Sequence, residues 1–485
     1  MGEAISIERG RAHVPDELIA TVAEQLSHQD SFEDLEVATY ELVNEIARRV
    51  LGAALQTMAD SFGDEVTVDE RTYRRHGEGT VRYHTLCGPV AVRRPIYRLV
   101  GVHNGPTVVP LEIAAGLRER ATPALVSSTL QAFAAMPLRE YETVMAAAHR
   151  ALPSRSTLER ISKRAGAQIE DTIAAIEPTI RANEPWLDGV CSISTGLDRA
   201  AVPMSEPIPN AEAPEPRIRR RPVPVTVEYR MAYVGTVSLH DADGRVLATK
   251  RFGATAHEGP DDLVSRIAAE LKHQQRRYGA PISVIQDGAP ELWRLIAEMA
   301  ERHGIVITDR VIDRFHVDER LAEVCELAGG CPAVATELFD AWRYQLDHSD
   351  TAIDRIIRHL DALVWHTQFG AAECEPPPSF WLRRGLVELD AETLTAVSAH
   401  LEYFRRYRRE IRYASRRRAG LPIGSGATEG ACKSLVAQRF KRSGQRWFES
   451  GLAPCLALRA LHLSDRLRAA LVLNARARTS RLQAA

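Results

Sequence analysis

From residue 191 to residue 313 the chain changes periodicity in a set order, and that order restricts the fold more than any other feature. CSISTGLDRAAVPM (191–204) reads as a strand carrying Asp198. VTVEYRMAYVGTVSLH alternates as a second strand, and Asp243-Gly244 turns it into a third, RVLATKRF. A helix is expected over 261–277. The apolar strand ISVIQD ends at Asp287, and Gly288 leads straight into a helix, ELWRLIAEMAERHG. GIVITDRVID is the last strand, closing on Asp313, with His316 opening the next helix. Between the first two strands, residues 203–224 hold seven prolines and end near Arg219, Arg220 and Arg221. That density excludes helix and central strand and predicts an extended excursion or a mobile loop.

Three consecutive strands followed by alternating helix and strand is the order of a ribonuclease-H-like mixed sheet, an order that other α/β domains share. Asp198 lies on the first strand and Asp287 at the end of the fourth. A third acid on a later helix would converge with them if that helix packs beside the sheet. Two divalent ions held roughly 4 Å apart need carboxylates from such separate elements. Mg²⁺ suits this sparse ligation, because water and phosphate complete its shell.

The stretch LPIGSGATEGACKSLVAQRFKRSGQRW (421–447) supplies that helix. A glycine-punctuated loop opens it, and Glu429 falls in the first helical turn with Lys433, Val436 and Phe440 along the same face. Arg439, Lys441, Arg442 and Arg446 crowd its far end beside Trp447. One reading is a metal-binding acid next to a polyanion contact. The other is a carboxylate complementing a helix dipole, with arginines on a solvated face. Lys433 fits either a phosphate contact or an i,i+4 partner for Glu429.

Charge is unevenly placed. Residues 401–485 hold 19 Lys+Arg against 5 Asp+Glu, so the first 400 hold 43 against 59 despite a net charge of only −2. A basic block on an acidic body points to a polyanionic partner. Within it Arg405, Arg406, Arg408, Arg409, Arg412, Arg416, Arg417 and Arg418 interleave with Tyr403, Tyr407 and Tyr413, a pattern that fits a groove tracking a nucleic-acid backbone. Only five of the 62 basic residues are lysine, which suits bidentate phosphate contacts, although a GC-rich genome yields the same bias. The seven cysteines, including Cys374, are scattered and never spaced CxxC, so neither a disulfide framework nor a zinc site is expected. No apolar run reaches the ~18 residues of a membrane span, and the first residues lack a leader pattern. A cytoplasmic, nucleoid-associated protein is expected.

The front of the chain divides in two. Residues 16–58 read as helices, with Leu35, Val37, Leu42, Ile46 and Val50 at helical spacing, and residues 66–100 as a hairpin about Gly88-Pro89. Arg93, Arg94 and Arg98 on that hairpin fit nucleic-acid contact or a solvated face equally. MPLREYETVMAAAHRALPSRSTLERISKRAG then gives two helices broken at Leu152-Pro153-Ser154, with Ser156 and Glu159 as a capping box. The spacing fits a helix-turn-helix with Arg160, Lys163 and Arg164 exposed, or an ordinary helical hairpin. The expected organisation is multidomain α/β. It comprises a helical plus β-hairpin module (1–115), a helix-turn-helix-like module (116–184), the first part of the mixed-sheet core (185–320), a helical insertion broken at Pro376-Pro377-Pro378 (321–415), and the completion of the core with basic helices (416–485). Trp342, Trp365 and Trp381 in the insertion are expected in its core.

SISTGLDRAAVPM, MAYVGTVSLHDADG, VIQDGAPELW, VIDRFHVDERL and the 421–447 stretch, in that order, resemble a bacterial insertion-sequence transposase of the DDE class. The resemblance covers about residues 190–460, and its last segment is the most specific. It implies a ribonuclease-H-like catalytic core and a triad of Asp198, Asp287 and Glu429 holding two Mg²⁺ or Mn²⁺ ions, with Asp313 and His316 as a supporting motif. It further implies double-stranded DNA as partner, both terminal inverted repeats and target, and a homo-oligomer assembled on that DNA. Such proteins usually show Asp-Gly at the first acid, whereas Asp198 precedes Arg199; Asp188-Gly189 is the rival position. A nuclease on the same fold, and a DNA-binding regulator with a dead site, are the competing readings.

Overall fold

The computed structural model describes residues 6–8, 11–208, 224–369, 381 and 389–483. Cys374, Arg219, Arg220, Arg221 and Pro376-Pro377-Pro378 lie outside them. The fold is mixed α/β in two compact units, residues 1–172 with 468–485, and residues 173–467. No helix among the described residues is long and apolar enough to cross a membrane.

The first unit begins with helices Asp16–Leu26 and Phe32–Asp60, the latter capped by Ser31, whose hydroxyl accepts from Asp34 N. The predicted hairpin forms as Arg71–Thr85 against Gly88–Leu99. It is the centre of a five-stranded antiparallel sheet in the order Leu482–Gln483, Glu65–Val68, Arg71–Thr85, Gly88–Leu99, Thr107–Val108. Tyr83, Val90 and Val92 pack one core of this sheet with Leu55 and Leu111. Ile46 and Val50 do not join it and stay exposed, because the helix contributes buried side chains only at Leu55 and Ala59.

Helices Leu138–Ala147 and Arg155–Ala182 occupy the expected helix-turn-helix positions. The second ends inside the expected module, but the division of the chain into units falls within this helix, after Thr172, rather than at residue 184. It also starts earlier than the capping-box reading placed it. Ser156 lies inside the first turn, and Ser154 contacts the hydroxyls of Ser156 and Thr157. The end of the chain departs from expectation as well. Residues 468–485 belong to the first unit, where Leu482–Gln483 adds an edge strand and Arg481 pairs with Asp69 at 2.6 Å.

In the second unit, strands β1 (Ser192–Pro207), β2 (Val225–His240) and β3 (Val246–Ala254) form an antiparallel meander. Strands β4 (Ile282–Gln286) and β5 (Asp309–Ile312) join parallel to β1, giving the order β5-β4-β1-β2-β3. All five β4 residues are buried, as expected of a central parallel strand covered on both faces. Helices α1 (Asp261–Tyr278) and α2 (Pro290–His303) make the crossovers. A Cβ on Gly235 would stand 2.3 Å from Ile267 Cδ1, so the glycine lets α1 lie close on one face. A Cβ on Gly196 would meet Thr428 Oγ1 at 2.7 Å, so the 426–431 helix lies close on the other.

β1 continues through Pro203, which the proline-rich reading had placed in an extended excursion. β4 has ended by this point, and the strand is flanked instead by Trp447. Trp447 N donates to Pro203 O at 3.0 Å, and Ser205 N donates to Trp447 O at 2.7 Å. Pro203 therefore costs no ladder bond in the parallel half of the sheet.

The insertion is helical as expected: α3 (Arg314–Gly329), α4 (Pro332–His348), α5 (Ala352–Phe369), α6 (Ala391–Arg406) and α7 (Tyr413–Arg418). Trp342 and Trp381 are buried edge-to-face in its core. Trp365 is half exposed and packs at a tilt against Phe369 rather than entering the core.

Candidate active site

Register places the acids. β1 and β4 pair Thr195 with Val284, and Asp198 and Asp287 each lie three residues further along. β4 and β5 pair Gln286 with Ile312, and Asp287 and Asp313 come next. Three carboxylates thus fall on one line across three adjacent strands, on the face that Gly196 shares with Asp198 by the two-residue strand period. The carboxyl ends of parallel strands are where α/β sheets place ligands. Asp188 is exposed in a turn before β1, outside the strand that carries Asp198.

The 421–447 stretch closes over this line. α8 (Gly426–Ala431) packs on β1 and β2, with Thr428 and Thr236 hydroxyls 2.7 Å apart. Ser425 N donates to Asp313 Oδ1 at 2.6 Å, and the Ser425 hydroxyl lies 3.3 Å from Glu429 Oε1. The helix then widens into a π-helical turn over Cys432–Ala437, a feature often found at functional sites. Arg459 Nε donates to the Ser434 carbonyl within that turn at 2.8 Å. The wide turn breaks the expected stripe. Val436 and Phe440 are buried, whereas Lys433 is exposed and, among the described residues, forms no ion pair with Glu429.

The π-turn brings Cys432 onto the first acid. Asp198 Oδ2 accepts from the Cys432 thiol at 3.1 Å, and Oδ1 accepts from Arg199 N at 2.6 Å. Burial, then the charge and hydrogen bond of Asp198 and the charge of Glu429, push the Cys432 thiol well up, so it stays a protonated donor. Sequence reading had not singled out Cys432. Its only signal was position, three residues after Glu429.

Asp313, His316 and Glu429 offer ligand atoms all within 4.8 Å of one another. Asp313 is buried and caps α3 through His316 N. It is therefore nearer the centre of the cluster than a supporting role implied. Asp198 and Asp287 fall outside that close grouping. Asp287 Oδ1 accepts from Ala289 N at 2.9 Å, and with His316, Arg320 and Tyr403 it lines a cavity of 410 Å³. Burial pushes the Tyr403 phenol up to about 12, and its ring is covered by Arg320 at 4.1 Å. Among the described residues no arginine or lysine is ion-paired with any of the four acids; Arg199 goes to Glu291 and Arg416 to Asp309. Carboxylate oxygens with one imidazole and, among the described residues, no ion-paired arginine or lysine fit a hard divalent ion such as Mg²⁺ or Mn²⁺.

The basic residues divide sharply. Arg439 is buried against the Phe440 and Trp447 rings, and Arg416 is buried on Asp309 at 2.6 Å, so neither is a free DNA contact. Arg405 pairs with Glu402 and Asp361, Arg408 with Asp354, Arg417 with Asp347 and Arg418 with Asp350. The polyanion expected for this run is largely supplied by acids of the insertion itself. Arg160 and Arg164 likewise share Glu119. Lys163, Arg409, Arg412, Lys441, Arg442 and Arg446 are exposed.

Compared with known proteins, the chain matches no family model and no curated protein.

Proposed function

We propose that the second unit is a ribonuclease-H-like core of a DDE-type DNA transposase, which cuts DNA at the ends of an insertion sequence and joins them to a target. The observation that carries this reading is the register that sets Asp198, Asp287 and Asp313 level on three adjacent strands, with Glu429 beside Asp313 and, among the described residues, no arginine or lysine ion-paired to any of them. The meander followed by two parallel strands supports it, as does the helical insertion before Glu429.

Asp198, Asp287 and Glu429 would hold two divalent ions, with Asp313 and His316 beside Glu429. Ions bound there would activate the attacking water or 3′-hydroxyl and stabilise the departing 3′-oxygen. The chain's own part is placement. Ser425 N and His316 N orient Asp313, and the Cys432 thiol orients Asp198. Lys441, Arg442 and Arg446 present positive charge at the far end of the same helical stretch for the phosphate backbone of double-stranded DNA. The exposed Val43, Ile46 and Val50 on helix Phe32–Asp60 suit a homo-oligomer on that DNA. Work on DNA places the protein in the cytoplasm at the nucleoid.

The test uses the full chain, Mg²⁺ or Mn²⁺, and a plasmid bearing the DNA that flanks its gene. Cleavage at short inverted repeats followed by joining to a second plasmid is the expected outcome. Cleavage without joining replaces this reading with the nuclease, and cleavage that persists after exhaustive chelation removes the metal chemistry.

A further inference from the structure

The first unit contains a cavity of 330 Å³ that the proposed chemistry does not use. Arg94, Arg118, Arg120 and Arg478 line it with Glu112 and Glu119. The two carboxylates are already engaged. Glu112 accepts from the Tyr83 hydroxyl at 2.8 Å and lies 3.6 Å from Arg94 Nη2. Glu119 is taken by Arg160 at 3.3 Å and Arg164 at 3.2 Å. Among the described residues, Arg118, Arg120 and Arg478 have no carboxylate partner. Arg118 instead donates to the side chain and carbonyl of Asn474.

Three guanidinium nitrogens around the cavity, Arg94 Nε and Nη1 and Arg478 Nε, are buried without a hydrogen-bond partner. Such orphaned charged donors are costly, and native structures rarely leave several together. Burial, with repulsion from Arg478, pushes Arg118 down to about 10, and burial lowers Arg478 as well. The backbone that presents these groups is strained. Arg118 and Ala121 exchange both backbone hydrogen bonds, at 3.0 and 2.7 Å, around Glu119 and Arg120 at φ 49° and 60°. Two successive left-handed residues favour Gly or Asn, and neither is present. Strain of this kind persists where surrounding structure and function require it.

We propose that this cavity is a binding site for a phosphate-class oxyanion, held by Arg118 and Arg478 with Arg94 in the wall and Arg120 at the exposed rim. A tetrahedral oxyanion accepts paired N–H donors from planar guanidiniums and supplies the missing acceptors and the missing negative charge at once. Its source is either a phosphodiester of bound DNA or free phosphate. The inference stands apart from the transposase reading, because a chain with its acids removed keeps the cavity.

Calorimetric titration of the full chain with inorganic phosphate, at ionic strength held constant with chloride, tests it. One saturable site per chain is expected, with a melting temperature higher in phosphate than in chloride. Arg118→Gln and Arg478→Gln should each weaken phosphate binding about tenfold or more, the scale of a lost charge-assisted hydrogen bond. Arg478→Gln should also raise the melting temperature in chloride, because a charged nitrogen buried without a partner has gone, and lose that advantage in phosphate. Misfolding would not produce that reversal. Competition with a short duplex then separates the sources. If DNA supplies the phosphate, inorganic phosphate displaces the duplex, and Arg478→Gln flattens the slope of log affinity against log salt by about one unit. If the ligand is free phosphate, duplex affinity is unchanged while phosphate still binds. Absence of binding heat, with equal melting temperatures in phosphate and chloride for wild type, overturns the proposal.

Discussion

The second unit contains two groups of carboxylates built on opposite rules. Glu177, Glu184 and Glu270 are matched by cations: Arg266 meets Glu177 at 2.7 Å, Arg466 meets Glu270 and Glu184 at 2.8 Å each, and Lys250 meets Glu184 at 2.6 Å. Gln274 adds a further donor to Glu270 at 2.7 Å. Asp198, Asp287, Asp313 and Glu429 instead receive backbone amides, hydroxyl and thiol donors, and no arginine or lysine among the described residues. Neutral donors orient a carboxylate while leaving its charge available. A closed ion-pair network suits folding, and an array of uncompensated acids suits the cation proposed for it. In this unit, what distinguishes a site from a strut is the kind of partner each acid has, more than its burial.

The largest expected effect falls on the open group. Asp287→Asn and Glu429→Gln should each lower DNA cleavage by about 10³-fold, the scale of losing a preorganised charge at a reacting centre. Metal-free DNA affinity and melting temperature should be unchanged or higher, since mutual repulsion is relieved. A large drop in melting temperature would place these acids with the struts.

The closed group should respond the other way. Arg466→Met leaves the buried Glu270 without its closest arginine and the half-buried Glu184 with Lys250 alone among the described residues, and should cost about 3–5 kcal/mol of stability by denaturant titration. Activity per folded molecule should hold. Glu184 also predicts a pH signature. Burial pushes its carboxyl up, but the hydrogen bonds and charges of Arg466 and Lys250 prevail and hold it below its ordinary value. A lowered carboxylate contributes stability above its unfolded value, and that contribution is lost as pH falls through the folded one. Wild type should therefore lose stability below the ordinary glutamate range, and Arg466→Met should lose less of it there. Equal acid sensitivity in both would break the comparison.

An intermediate effect is expected from metal. Mn²⁺ at about 100 times its Kd should stabilise the full chain by ~2.7 kcal/mol, read as a rise in melting temperature that chelation reverses. Asp313→Asn should remove most of that rise. If it persists, the ion binds elsewhere.

The smallest effects distinguish the two basic stretches. Arg405→Gln with Arg408→Gln breaks exposed pairs worth roughly 0.2–1 kcal/mol each and should leave the salt dependence of DNA binding unchanged. Lys441→Gln with Arg442→Gln should flatten that dependence by about one unit per lost phosphate contact. A slope that changes for the first pair and not the second would reverse their roles.

The sheet was readable because each strand announces itself by alternation or by an apolar run; Asp198 was readable because it lies on such a strand, and Asp287 because it follows the end of one. Asp313 was harder to rank. Its place on the same line as the other two follows from parallel pairing of β4 with β5, which no local pattern encodes. The π-turn was invisible for a related reason. An α-helical stripe puts Lys433 beside Glu429, and only the packing of Cys432 against Asp198 shows that the helix has widened. The arginine run read as unpartnered because Asp354 and Asp361 lie about fifty residues earlier on α5, and compaction alone brings them together. Leu482–Gln483 is too short to carry a periodic signal, so its return to the first sheet left no trace in the sequence.

That return imposes an order in time. The edge strand Leu482–Gln483 emerges from the ribosome only after residues 173–467 have been made. The second unit, being contiguous, can close on itself first, as domains generally do during synthesis. The first unit must wait with the edge of Glu65–Val68 open, although it was translated earlier. Arrival of the final strand is thus a built-in record that the whole intervening unit has been produced.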